Sequence, residues 1–444
     1  MSTPSSGNSA HGFAPNSQLI KLDSDGKTIM SRSSIAALLL AVVLIPSISA
    51  QEKKIPVTGV ADADLAPFDE LMLKFMADNQ VPGAALAVAK DGKLVYARGF
   101  GHADQQLGLP VQPGLRFRIA SISKPITAAM ILRLIELGLL KMDDHVFECL
   151  QIALPGNADP RLKKITIKHL LQHTAGFDRD KSFDPMFRPI IIAKDQNTKP
   201  PAKPIDIIHY MTKQKLDFDP GERYAYSNFG YCILGRVIEK AIGQTYEAAV
   251  QKHVFDPVGV KHTQLGHTLT AAKDEVHYFD DKNRKANAIM GPNLGKPVPL
   301  PYGAWYLEAM DAHGGWISTA PDLVRFASAF DQPEKCKILK ADSIKTMFAR
   351  PDGLAGQNKK GKPADVFYGC GWQVRTVGGG KMNTWHTGSL DGTETLLVRR
   401  ADGLCWAVLF NTRKGLVGKI DPLVHQAADK VKRWPDKNLF EKGL

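Results

Sequence analysis

Apolar residues begin as an unbroken run, Ile35 to Ile45, and only later fall into helical and strand periods. The run is eleven residues long, follows Arg32 and precedes Ser47-Ile48-Ser49-Ala50. A charged flank, a short apolar core and small residues form a signal-peptide pattern, and a core of this length cannot span a bilayer. Residues 1–50 are therefore expected to be a leader, with Met30-Ser31-Arg32 a more usual start for one. Residues 51–63 read as a polar linker. Beyond them Pro67–Asn79 has the pattern of a first helix, closed by Val81-Pro82-Gly83. Ala84–Ala89 and Leu94–Arg98 flank Asp91-Gly92, a hairpin signal.

From Pro125 to Leu140, the residues Ile126, Met130, Leu132, Ile135 and Leu139 recur mostly at three- and four-residue steps. That spacing predicts a largely buried helix with Ser121 at its N-terminus. The section from about 140 to 330 reads as helices and loops, among them Ile165–Gln172 and Gly230–Ile242. Within it the Pro- and Lys-rich stretch 178–204 reads as a surface excursion. Strands return at Tyr368–Thr376, Lys381–Thr387, Thr393–Arg399 and Leu404–Asn411, before a helix over Asp421–Arg433 and a tail at 435–444. Strands at both ends and helices between predict an α/β domain over 64–434. Its antiparallel sheet would be built from N- and C-terminal segments, flanked by helices, with a mainly helical inserted subdomain.

Composition narrows the picture. The 444-residue chain carries a formal net charge of +12, and the first fifty residues hold only three basic and two acidic groups. The basic residues are dispersed, with no aromatic-interleaved stretch of the kind that binds nucleic acid. Five cysteines (Cys149, Cys232, Cys336, Cys370 and Cys405) are too few and too scattered for a disulfide scaffold. Cys370 and Cys405 lie in predicted strands, where they could pair or stay buried as thiols. No Cys or His spacing suggests a metal site.

Candidate chemistry lies in three places. In Ser121-Ile122-Ser123-Lys124 a lysine stands one helical turn beyond a serine. A serine hydroxyl needs a base to become a nucleophile, and a desolvated lysine can be that base. The alternative for Ser121 is a helix cap. Tyr226-Ser227-Asn228 sets a phenol and an amide two residues apart, on one side of an extended loop. The phenol can relay a proton, and the amide can hold a substrate or steady the lysine. The alternative is a core aromatic and a capping asparagine. His386-Thr387-Gly388-Ser389 ends a predicted strand. There a glycine admits close approach, the Ser389 N–H could join that of Ser121 in an oxyanion hole, and His386 and Thr387 could hold a carboxylate or leaving group. The alternative is a polar turn. His169 and His173 have i, i+4 spacing without the glutamate of a metalloprotease motif, and read as a helix-end pair near the site floor.

In their order, S-x-x-K, Y-x-N and H-T-G, these pieces resemble the serine β-lactamase and penicillin-binding-protein superfamily. Class C enzymes, secreted D-peptidases and related carboxylesterases are the most similar branches. Phe117-Arg118-Ile119-Ala120-Ser121, Ile165–Gly176, Pro220-Gly221 and Gly314–Leu323 carry further likeness. The resemblance implies that Ser121 is the nucleophile, Lys124 its base, Tyr226 a second acid/base group and Asn228 a contact to substrate and lysine. It implies a hydrolase acting on a small ester or peptide without a metal or organic cofactor, and the leader pattern adds export, with no stable membrane anchor beyond the signal segment. A weak β-lactamase or a non-turnover penicillin sensor is the alternative. His386 stands where typical β-lactamases have lysine, and a neutral imidazole attracts a β-lactam carboxylate less than an ammonium does.

Overall fold

Every residue of Leu404–Phe410 is buried, because this strand runs through a sheet with a hydrophobic core on each face. Trp406, Val408 and Phe410 enter one core with Phe68, Met72 and Phe75. Cys405, Ala407 and Leu409 enter the other. The two-residue period of the strand thus divides one continuous apolar run between two cores.

The computed structural model describes residues 54–443. In chain order, the elements that frame the site are β1 (Val57–Thr58), α1 (Ala66–Asn79), β2 (Gly83–Lys90), β3 (Lys93–Asp104), α2 (Ser123–Glu136), α3 (Asn228–Ile242) and α4 (Ala320–Ser328). There follow β4 (Val366–Tyr368), β5 (Gln373–Thr376), β6 (Met382–Leu390), β7 (Thr393–Arg399), β8 (Leu404–Phe410) and α5 (Val417–Lys430). The sheet runs β1-β3-β2-β8-β7-β6-β5-β4, with Leu109–Pro110 added to β3. All these pairings are antiparallel. β2 meets β8 in the register Ala84↔Phe410 to Lys90↔Leu404, so N- and C-terminal segments do build one sheet. Helices α1 and α5 cover one face. The other face of β2 presents only Ala85, Ala87 and Ala89, small residues that let α4 pack close.

Several expectations need correction. The leader 1–50, with its Ile35–Ile45 run and Met30, lies outside the described residues. The stretch read as a linker at 51–63 contributes β1, whose Val57 and Thr58 pair with Phe100 and Gly99. The reason is that β3 runs on to Asp104, leaving an edge that accepts a further strand. The tail at 435–444 is also tied down: Asn438 Oδ1 accepts from Leu94 N at 3.2 Å, and Leu439 is buried. Helix α2 stops at Glu136 because Gly138 takes φ +73°, a left-handed residue that closes helices. The stretch 178–204 is more than a surface excursion. Asp184 caps the turn Pro185–Phe187, Pro189 opens a helix to Asp195, and Met186, Ile192 and Ala193 are buried. The middle section also holds short strands, among them Trp316–Ser318 between Phe117–Arg118 and Gln264–Leu265. All five cysteines are free thiols.

The sheet grips the residues just before Ser121. Thr393 Oγ1 donates to Arg118 O at 2.8 Å and Thr395 Oγ1 to Ile119 O at 2.9 Å. β6 passes so near that a Cβ on Gly388 would lie 2.1 Å from Ile119 O and 2.2 Å from Thr395 Oγ1. Both obstacles are fixed, so Gly388→Ala must push β6 away from the Ser121 turn. That substitution is expected to cost about 1–3 kcal/mol, read as a lower urea midpoint. The control Gly418→Ala, whose Cβ would meet nothing within 4 Å, should leave the midpoint in place.

Candidate active site

Ser121 sits in a single 3-10 turn, Ala120–Ile122, that leads into α2. Its neighbour Ala120 takes φ +46°, a left-handed conformation that costs a non-glycine residue about 1–3 kcal/mol. The surroundings enforce it: Ser123 Oγ donates to Ala120 O at 2.7 Å, and Ile119 N donates to Trp316 O at 3.0 Å. The kink brings Ser121 to the wall of a cavity of about 510 Å³. Lys124, one turn further on, is completely buried.

The Lys124 Nζ lies 3.2 Å from Ser121 Oγ. It donates to Asn228 Oδ1 at 2.8 Å and to His313 O at 2.9 Å. Burial drives the lysine pKa well below its ordinary range; the nearby Arg179 charge pushes the same way, and Asp184 opposes them. A neutral amine has two N–H groups and a lone pair. Two carbonyl oxygens are placed to take the N–H groups of the neutral form, which would leave its lone pair for the serine hydroxyl.

Tyr226 and Asn228 meet this pair from the start of α3. The Tyr226 ring centre is 4.7 Å from Lys124 Nζ and 4.6 Å from the Arg179 guanidinium carbon. Burial raises the Tyr226 phenol pKa, and a hydrogen bond with Ser121 opposes that rise. Ser227 rather than Asn228 caps the helix, accepting from Gly230 N at 3.2 Å. Asn228 is thereby free to bridge: its Nδ2 donates to Asp184 Oδ2 at 2.7 Å, while its Oδ1 faces Lys124.

The third motif lies on β6 past the end of β5, which pairs only as far as Trp385. That leaves one edge of the His386–Leu390 stretch open toward the cavity. Thr387 and Ser389 are exposed and line it, whereas Gly388 is buried against Ile119. His386 corrects an expectation. Its Nδ1–H donates to Thr387 O at 2.7 Å and its Nε2 accepts from Tyr368 Oη at 3.0 Å. Burial, with Lys124 nearby, lowers its pKa to about 3. The imidazole is neutral with both nitrogens in use, so this strand presents the Thr387 and Ser389 hydroxyls to the cavity rather than a ring nitrogen.

His169 and His173 serve the backbone. His169 Nδ1 accepts from Thr166 N and His173 Nδ1 from Ser227 N, both at 3.2 Å. The His173 ring lies 4.4 Å from that of Tyr226 and 4.5 Å from that of Tyr368, forming the site floor. Among the described residues, no cluster of His, Cys, Asp and Glu could hold a metal ion.

Sequence reading missed Arg179, Asp184, Tyr224, Tyr368 and Arg413. Apart from Asp184, these share the cavity wall with Ser121. Tyr224 has the same two-residue spacing to Tyr226 that linked Tyr226 to Asn228, so a signal existed for it. Arg179 and Asp184 lie in an irregular segment with no period to reveal them. Arg413 pairs with Asp391 at 2.9 Å on the far wall. The Asn228→Ala variant would strand Lys124 Nζ and Asp184 Oδ2 without their shared partner. Loss of about 1–3 kcal/mol of stability is expected, measurable by urea denaturation.

Comparison with known proteins gives this geometry a context. "Probable fimbrial assembly protein FimD, serogroup H1" of Dichelobacter nodosus is 40% identical over 221 residues, 50% of this chain and 50% of that protein. The chain thus spans about half the length of that relative. An octameric penicillin-binding protein homologue from Pyrococcus abyssi shares the fold, with TM-score 0.63, 24% identity and coverage of 85% of this chain and 80% of that one. So does the D-amino acid amidase of Ochrobactrum anthropi SV3, with TM-score 0.64, 19% identity and coverage of 83% and 100%. The Beta-lactamase family profile matches residues 68–429. Strands β2 to β8, the Ser121 turn and the buried lysine all fall within that span, and the chain belongs to the Beta-lactamase family.

Proposed function

We propose that this chain is an exported serine hydrolase that cleaves a small ester or amide through an acyl-enzyme on Ser121. The observation that carries the reading is the buried Lys124 amine, 3.2 Å from Ser121 Oγ, with two carbonyl oxygens taking its N–H groups. Lys124 accepts the hydroxyl proton as Ser121 Oγ attacks the substrate carbonyl. The N–H groups of Ser121 and Ser389 hold the oxyanion of the tetrahedral intermediate. As the intermediate collapses, the bond to the leaving group breaks; Tyr226 supplies that group with a proton and takes up the one held by Lys124, so that the amine is again neutral. Water then attacks the acyl-enzyme, frees the acid and restores the serine hydroxyl.

Export rests on the leader pattern before residue 51. No helix among the described residues is long and apolar enough to cross a membrane. The substrate class rests on the polar wall at Thr387 and Ser389 and on the fold shared with a D-amino acid amidase. Because His386 is neutral, attraction for a β-lactam carboxylate is weak, and β-lactam turnover is expected to be slow. A penicillin-sensing role would instead show as a burst of acylation without steady turnover.

The Ser121→Ala variant is expected to abolish turnover of a short-chain nitrophenyl ester and of a D-alanyl-D-alanine peptide while leaving the thermal midpoint in place. Retained activity in that variant overturns the mechanism. Preference for the peptide points to cell-wall chemistry, and turnover of the ester alone points to a carboxylesterase. The pH profile carries a definite sign. Only the neutral amine is a base, so kcat/KM should fall as pH drops and Lys124 takes up a proton. Since burial lowers the pKa of that group, the acid limb should lie well below the value of about 10.4 for a free lysine.

A further inference from the structure

Asp184 lies away from the three motifs, yet it touches Asn228, which in turn holds the base. Its carboxylate is seated by N–H donors on both oxygens: Asn228 Nδ2 at 2.7 Å on Oδ2, and Met186 N at 3.1 Å on Oδ1. The amide of Asn228 has an oxygen end and an NH2 end, and its two orientations fill the same space. In the observed one the oxygen faces Lys124 and the NH2 faces Asp184. Turned over, the oxygen would meet an acceptor-only carboxylate, and the NH2 would meet the lysine.

The orientation decides which way protons run. With Asn228 Oδ1 and His313 O as acceptors, both N–H groups of a neutral Lys124 are occupied, and its lone pair points to Ser121. With the amide reversed, the lone pair would accept from Asn228 instead. Lys124 would then donate to Ser121 Oγ and could not take its proton.

We propose that Asp184 is a positioning residue, which fixes the Asn228 amide in the one orientation that makes Lys124 an acceptor for the Ser121 proton. The proposal rests on the hydrolase reading above, and it adds a residue that no motif of the sequence marks. Asp184 touches neither the serine nor the substrate cavity; it acts through Asn228. Its negative charge also stands among the groups facing the lysine, which are Arg179, Tyr226, Tyr231, His173, His313 and His386. Among the described residues, Asp184 is the carboxylate that acts on Lys124 and favours the protonated amine, whereas Arg179 disfavours it.

Two variants and two readouts test this. Asp184→Ala removes the acceptor, the charge and the cap of the Pro185–Phe187 turn. Asp184→Asn removes the charge but keeps a good cap, and its amide can meet Asn228 either way round. Without any substrate, lysine 13Cε NMR follows the titration of Lys124. Its midpoint should move to lower pH in both variants. With substrate, Asp184→Ala should lower kcat by about tenfold or more, the kinetic equivalent of one lost buried hydrogen bond, with KM nearly unchanged. Asp184→Asn should fall between it and the parent. A Lys124 midpoint unmoved in both variants overturns the proposal, as does a parent-like kcat in Asp184→Ala. If Asp184→Asn matches the parent in midpoint and rate, Asp184 is only a cap and the proposal fails. If the parent itself shows no Ser121-dependent turnover, the hydrolase reading fails, and the substrate-free titration still decides the part played by Asp184.

Discussion

A primary amine buried to the last atom, at Lys124, is the constraint around which the rest of this molecule is arranged. An isolated ammonium in such a place would be costly. Burial lowers the amine pKa and so favours loss of the charge, and two carbonyl oxygens meet its N–H groups. His313 O comes from a short helical turn and Asn228 Oδ1 from the first residue of α3. The helices that carry them are therefore fixed in position by hydrogen-bond demand as well as by packing.

The second constraint is backbone geometry before the serine. A left-handed alanine is tolerated at position 120 because neighbouring segments hold it from several sides. Thr393 and Thr395 grip the carbonyls of Arg118 and Ile119, and a strand without a side chain at Gly388 slides in against them. The strain is local, and the sheet supplies the support. This explains why the open edge of β6 and the exposed face of the serine end up on one cavity wall.

Most of the framework was legible in the residues. The strand-like runs at Ala84–Ala89, Thr393–Arg399 and Leu404–Asn411 and the Asp91-Gly92 turn identified the sheet, and the placement of strands at both ends identified how it closes. The S-x-x-K, Y-x-N and H-T-G segments marked three walls of one site. What escaped was conformational or non-periodic. No pattern shows that His386 would spend both ring nitrogens on Thr387 and Tyr368. Nothing in a Pro- and Lys-rich segment shows that Arg179 would lie over Tyr226 or that Asp184 would reach Asn228. Val57 and Thr58 are too short a run to read as a strand; only the overhang of β3 makes them one.

The pairing of β2 with β8 sets an order in time. The strand completing the centre of the sheet ends at Phe410, about three hundred residues after the one it joins. During synthesis the first hairpin must therefore wait, its alanine face uncovered and its other face covered by α1 alone, until nearly the whole chain exists. Contacts so distant along the chain make folding slow and intermediates adhesive. The same delay keeps the serine turn without its threonine anchors until the end, so a nascent chain carries the residues of the site long before it carries the site.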